Sequence, residues 1–126
     1  MSGLKKILLV DDEQDILDLL SYNFSKRGYI VHIAHDGSEA LNELSSFTPN
    51  IIVSDLLMPN ISGIKFCRII KDDERYKNIP LIFLSAANDD LLALSSIEAG
   101  AVKFLSKPIQ MHLLFDVVKE FESTAQ

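Results

Sequence analysis

Five polar side chains follow runs of apolar residues, each close to the point where its run ends. Asp11 and Asp12 follow the first run, Asp55 the third, Ser85 the fourth and Lys107 the fifth. Three clustered carboxylates repel one another unless a cation or a shared proton offsets their charge. A hard divalent ion such as Mg²⁺ suits them, because it takes oxygen ligands and keeps places for water and phosphate. An ammonium and a hydroxyl can then bind phosphoryl oxygens while one carboxylate acts as nucleophile, so the set indicates phosphoryl transfer onto a side chain.

The elements that must bring these side chains together alternate along the chain. Short apolar runs, typical of strands buried on both faces, occupy residues 7–10, 29–34, 51–54, 81–84 and 101–105. Apolar residues at helical spacing follow each run, at 16–24, 40–44, 66–70, 91–97 and 113–121. Five such units predict an α/β fold with helices on both faces of a parallel sheet. If the strand order is 2-1-3-4-5, strands one, three, four and five are neighbours, and their polar residues meet where such sheets bind ligands.

Composition narrows the class of protein. The 126 residues suit one domain, and 48% hydrophobic with 24% charged residues is ordinary globular usage, which excludes a disordered chain. A formal charge of −6 argues against direct nucleic-acid binding. Cys67 is the single cysteine and cannot form an internal disulfide, which fits a cytoplasmic protein. No apolar run approaches the roughly 20 residues of a membrane span, so no membrane contact is expected.

Each polar residue also has an ordinary structural interpretation. Asp11 and Asp12 can cap a helix, Asp55 can end a strand or begin a turn, and Lys107 can be a surface lysine ahead of a helix. Taken singly, these interpretations are reasonable. They would have to coincide at four strand ends, however, and their joint placement therefore favours a functional site.

Four sequence motifs identify a family that this pattern is similar to. They are residues 9–13 (LVDDE), 55–59 (DLLMP) with 62–63 (SG), 84–86 (LSA), and 100–101 (GA) leading to 107–108 (KP). At these positions the chain resembles the receiver domain of two-component response regulators, over residues 5–121. The resemblance implies a flavodoxin-like (βα)₅ fold with strand order 2-1-3-4-5, and we expect one receiver domain over residues 1–126.

The resemblance also implies a role for each residue of the acidic set. Asp55 would accept a phosphoryl group from a sensor histidine kinase or a phosphotransfer protein. Mg²⁺, for which Mn²⁺ can substitute, would be held by Asp11, Asp12, Asp55 and the backbone carbonyl of Leu57. Lys107 would contact the phosphoryl group. The protein would then be a signalling phosphoacceptor that catalyses only its own phosphorylation and dephosphorylation.

A conformational switch is implied as well. Ser85 would follow the phosphoryl group and Phe104 would turn inward, which changes the face formed by the fourth helix, the fifth strand and the fifth helix. That face would control a target protein or an output domain, or form a phosphorylation-dependent dimer. The bond before Pro108 is expected to be cis.

Four positions depart from the usual pattern or tune it. Phe104 stands where tyrosine is more common, so a readout through a tyrosine hydroxyl is not expected. Ile109 stands where phenylalanine is frequent, which predicts different packing under the last helix. Leu57 and Ala87 occupy positions that tune dephosphorylation, and because both are apolar they offer no group to orient an attacking water. We therefore predict a long-lived phosphoryl group.

Two other classes of protein share parts of this pattern. A flavodoxin-like cofactor protein needs a Ser-, Thr- or Gly-rich phosphate loop after the first strand, where this chain has the acidic residues 11–13. A phosphatase of the haloacid dehalogenase type usually has a second aspartate two residues after its nucleophile, and Leu57 occupies that place. Flavin absorbance would support the first alternative, and turnover of a chromogenic phosphate ester the second.

Overall fold

The computed structural model describes residues 5–86 and 90–122, in which strands and helices alternate. The strands form one parallel sheet in the order β2-β1-β3-β4-β5, which confirms the predicted flavodoxin-like fold. The elements are β1 (Lys6–Val10), α1 (Gln14–Lys26), β2 (Ile30–Ala34), α2 (Gly37–Leu44), β3 (Ile51–Asp55), α3 (Gly63–Asp72), β4 (Leu81–Ser85), α4 (Asp90–Glu98), β5 (Lys103–Ser106) and α5 (Met111–Phe121).

Two hydrophobic clusters cover the two faces of the sheet. Successive strand residues point to opposite faces, so the uninterrupted apolar run of β1 contributes to both clusters. Leu8 packs with residues of α2 and α3, whereas Ile7 and Leu9 pack with residues of α1 and α5. The central strands β3 and β4 are buried throughout. Helices therefore cover the sheet on both faces, and this packing positions the carboxyl ends of its strands.

Helix ends explain two differences between the predicted and observed strands. The second strand begins at Ile30 because the Tyr29 N–H donates back to the Phe24 carbonyl, closing α1 around Gly28 at φ 89°. The fifth strand begins at Lys103, not at residue 101, because the Ala101 N–H donates back to a carbonyl of α4. Both residues are apolar, so hydropathy alone assigns them to the strands.

One glycine allows α3 to lie against the end of β3. A Cβ added at Gly63 would lie 2.7 Å from the Leu56 carbonyl oxygen and 2.9 Å from the Phe83 ring. Ser62 caps the helix by accepting a hydrogen bond from the Lys65 N–H. The start of α3 therefore packs closely against the loop that follows β3. Across residues 5–86 and 90–122, no helix has the length and apolar character that crossing a membrane requires.

Candidate functional site

Three aspartates meet at the carboxyl edge of the sheet. Asp11 follows β1 and is 1% exposed, Asp55 ends β3 and is 7% exposed, and Asp12 is exposed to solvent. One ligand oxygen from each carboxylate lies within 4.8 Å of the others. Such a cluster of hard oxygen donors is compatible with a divalent cation. We call these aspartates together with Lys107 the acidic site.

Lys107 provides the positive charge of the acidic site. Its Nζ lies 3.0 Å from Asp11 Oδ2 and 3.7 Å from Asp55 Oδ2. The Lys107 N–H donates to the Ser85 carbonyl over 2.8 Å, and the peptide bond to Pro108 is cis. A side chain from the far end of the chain therefore reaches between the two buried carboxylates.

Glu13 also belongs to this cluster, although it does not lie at the end of a strand. Its Oε1 lies 3.7 Å from Lys107 Nζ, and its N–H donates to Asp11 Oδ1 over 2.9 Å. Glu13 also occupies the cap position of α1, where Asp11 and Asp12 were the alternative candidates. Its signals in the sequence are its place directly after the acidic pair and its position in the motif of residues 9–13.

The environment of Asp55 disfavours its charge. Burial raises the pKa of Asp55 to about 6, and the negative charge of Asp11 adds to this effect. The ammonium of Lys107 and the backbone N–H groups of Leu56 and Leu57 act in the opposite direction. The Leu56 N–H donates to Asp55 Oδ1 over 2.8 Å. A cation bound by the aspartates would favour ionisation of this carboxyl.

Lys107 is charged in this setting. Burial by itself lowers the pKa of the Lys107 ammonium, but the hydrogen bond to Asp11 and the attraction of Asp55, Asp11 and Glu13 outweigh it and raise the pKa above its ordinary value. The acidic site thus combines an ammonium with a carboxyl of raised pKa and further carboxylates. It can neutralise an incoming phosphoryl group and offer it an oxygen nucleophile.

The remaining candidate residues surround this cluster. Ser85 is fully buried at the end of β4, and Leu57 is 57% exposed in the loop after β3. Phe104 lies opposite Phe83 in the β4–β5 register and packs, half-buried, on one hydrophobic cluster. Ile109 packs on the other hydrophobic cluster. Ala87, the second residue assigned to tuning dephosphorylation, lies outside the described residues.

A polar link steadies the loop beside the acidic site. Asp36 caps α2 by accepting a hydrogen bond from the Glu39 N–H, and its second oxygen accepts one from the Asn60 amide over 3.0 Å. Asn60 has a φ of 69°, a conformation that asparagine tolerates better than most residues. The sequence places Asn60 in a loop but gives no sign of its partner.

Comparisons with known proteins agree with this architecture. A family model described as the response regulator receiver domain matches residues 7–119. The chain is 36% identical over 104 residues to the alkaline phosphatase synthesis transcriptional regulatory protein PhoP of Bacillus subtilis, covering 82% of this chain and 42% of that protein. The chain thus spans under half of this relative.

Solved structures of similar proteins share the fold. A signal receiver domain of a signal transduction histidine kinase from Syntrophus aciditrophicus superposes with a TM-score of 0.86 at 32% identity, over 93% of this chain and 89% of that one. The chemotaxis response regulator CheY4 of Vibrio cholerae gives a TM-score of 0.88 at 28% identity, over 94% and 99%.

Proposed function

This chain belongs to the family of response regulator receiver domains, and from that membership we propose that Asp55 is its phosphoacceptor. Receiver domains are signalling phosphoacceptors, not classical enzymes, and they interact with histidine kinases and with output domains. The proposed donor is the phosphohistidine of a sensor kinase or a phosphotransfer protein. The receiver domain itself would catalyse only its own phosphorylation and dephosphorylation. We place it in the cytoplasm, as one domain with its core over residues 5–121.

The proposed reaction is an in-line displacement at phosphorus. A carboxylate oxygen of Asp55 forms the new O–P bond while the N–P bond of the donor breaks, and the electron pair stays on the imidazole nitrogen of the donor. Lys107 pairs with the phosphoryl oxygens. Asp11, Asp12, Asp55 and the Leu57 carbonyl would hold a Mg²⁺ or Mn²⁺ ion, which would supply further charge neutralisation.

One observation carries this proposal. The ammonium of Lys107 lies 3.0 Å from Asp11 and 3.7 Å from Asp55, although 96 residues separate Lys107 from Asp11 in the chain. Two buried carboxylates sharing one cation are costly as a purely structural device, because their desolvation is only partly offset. Their cost is consistent with a binding function at this edge of the sheet.

The proposed output is a change in the face formed by α4, β5 and α5. Ser85 and Phe104 lie on the neighbouring strands β4 and β5, so a movement of the first toward a phosphoryl group would open space for the second. A covalent phosphoryl group adds charge and acceptor oxygens that bind one conformation better than the other. A target protein, an output domain or a second copy of the chain would then bind this face.

The phosphoacceptor assignment is tested by labelling with acetyl phosphate. We expect the intact mass of the wild-type protein to increase by one phosphoryl group in the presence of Mg²⁺, and we expect no increase with a chelator or in Asp55→Asn. The matched control is Asp116→Asn, which makes the same chemical change at an exposed position on α5. Labelling of Asp55→Asn at the wild-type level would refute the assignment.

A second measurement addresses the lifetime of the phosphoryl group. Leu57 is apolar and exposed beside Asp55, so its side chain offers no hydrogen bond to an attacking water. We therefore expect slow decay of the phosphorylated protein, and faster decay when Leu57→Asn supplies a polar group. Loss of the label within seconds in the wild-type protein would contradict this expectation.

A further inference from the structure

A groove lies at the edge of the sheet opposite the acidic site. It has a volume of about 360 Å³, within the range of small-molecule sites. The strand β1 runs from this groove to Asp11, and its five residues span roughly 16 Å. We call it the base groove, and its lining includes Lys5, Arg27, Tyr29, Phe115, Lys119 and Glu122.

The floor of the base groove is aromatic and firmly held. Phe24 meets Tyr29 and Phe115 edge to face, with ring centroids 5.2 and 5.1 Å away. The Tyr29 hydroxyl donates to Glu122 Oε1 over 2.6 Å. Next to it, the space beside Gly28 is open, since a Cβ added there would meet nothing within 4 Å. Tyr29 and Phe115 are thus held in place by the buried Phe24 ring and by the hydrogen bond from Tyr29 to Glu122, and each can offer apolar ring surface to the groove.

The rim of the base groove is positively charged. Glu122, with a side chain only 5% exposed, is paired with Lys5. Within residues 5–86 and 90–122, Arg27 and Lys119 make no ion pair with a carboxylate, and the lining carries a net charge of +2 in a chain of −6. The Arg27 guanidinium lies 3.6 Å from the centroid of the Phe115 ring. A planar cation resting on a ring can bind a carboxylate or a phosphate in two-point fashion.

We infer that the base groove binds a small anion joined to a planar ring, such as a nucleoside monophosphate or an aryl carboxylate. The ring would lie against Tyr29 and the guanidinium of Arg27, while the anionic group pairs with Arg27 and Lys119. Arg27 and Lys119 lie at the C-terminal ends of α1 and α5, where a positive charge interacts favourably with the helix dipole. This interaction accounts for a cation at each position, but it does not account for the aromatic rings beside them. Aromatic rings beside two cations without an ion-pair partner indicate a ligand that carries both a planar ring and an anionic group.

The test is a titration followed by amide chemical shifts, in a chelator so that no phosphate is recruited to the acidic site. AMP and indole-3-acetate carry both features, whereas adenosine lacks the anion and inorganic phosphate lacks the ring. We expect AMP or indole-3-acetate to shift the amides of residues 27–29 and 115–122 saturably, with a Kd below about 1 mM. Which of the two binds more tightly distinguishes a nucleotide from an aryl carboxylate.

Charge variants separate a specific site from general attraction. Arg27→Gln and Lys119→Gln should each raise the Kd roughly tenfold, because a charge-assisted contact is lost. Lys26→Gln is the matched control, since it removes the same charge one position away, outside the groove. Absence of saturation at ten times the expected Kd, or an equal effect of Lys26→Gln, would overturn the inference. Neither result bears on phosphorylation of Asp55, which the labelling experiment tests separately.

Discussion

Replacing Asp55 with asparagine should stabilise the metal-free protein. The pKa of Asp55 is about 6, against an ordinary aspartate value of about 4, so its ionised form is disfavoured by roughly 3 kcal/mol in the folded state. This value already contains the attraction of Lys107. Asparagine is of nearly the same size, keeps an acceptor oxygen for the Leu56 N–H and carries no charge. The buried charge is therefore removed without a cavity.

The gain must depend on pH in a defined direction. A carboxyl whose pKa rises on folding destabilises the folded protein only when it is ionised, so the penalty is negligible near pH 3. It grows between about pH 4 and 6, reaches about half its full value near pH 5 and is nearly complete at pH 7. For a domain of 126 residues, 3 kcal/mol corresponds to an increase in Tm of roughly 10 °C.

Urea unfolding followed by circular dichroism, in a chelator, measures this gain. We expect Asp55→Asn to be more stable than the wild-type protein by about 3 kcal/mol at pH 7.5 and by about half of that at pH 5. Asp116→Asn, an exposed substitution on α5, should change stability by less than about 0.5 kcal/mol at both values. A gain that is absent at pH 7.5, or the same at both values, would refute the assigned environment of Asp55.

Four further substitutions test other contacts by urea unfolding. Lys107→Met removes the only cation found among the carboxylates of the acidic site within the described residues, and should destabilise the metal-free protein by roughly 3 kcal/mol, with part of the loss restored by Mg²⁺. Gly63→Ala should cost over about 2 kcal/mol, because its Cβ would lie 2.7 Å from a carbonyl oxygen, whereas Gly28→Ala meets open space and should cost about 1 kcal/mol through its positive φ alone. Tyr76→Phe removes a buried hydroxyl that donates to the Leu44 carbonyl over 3.0 Å, and should cost about 1 kcal/mol.

The sequence was sufficient to predict the order of elements and the parallel sheet. Runs such as residues 7–10 are apolar on both faces, and only a sheet covered by helices on both sides buries both faces. The strand ends were harder to predict, because Tyr29 and Ala101 are apolar yet belong to the turns that close α1 and α4. A hydrogen bond back to a helix carbonyl leaves no trace in hydropathy.

The acidic site could be predicted only in part. Polar residues that follow buried strands meet at one edge of a parallel sheet, and this rule predicts Asp11, Asp12, Asp55, Ser85 and Lys107. This rule does not predict Glu13, since it lies three residues past the strand and approaches Lys107 through its own side chain. The link from Asp36 to Asn60 joins two loops, and such pairing depends on distances that one sequence does not contain.

The ion pair between Lys5 and Glu122 means that the chain could be circularly permuted. These residues are neighbours in space although 117 positions apart, so a short peptide linker could join them. New termini could be opened at the exposed turn around Glu74 and Arg75. Such a circular permutant would keep every strand, and the carboxylates of Asp11 and Asp55 would still face Lys107.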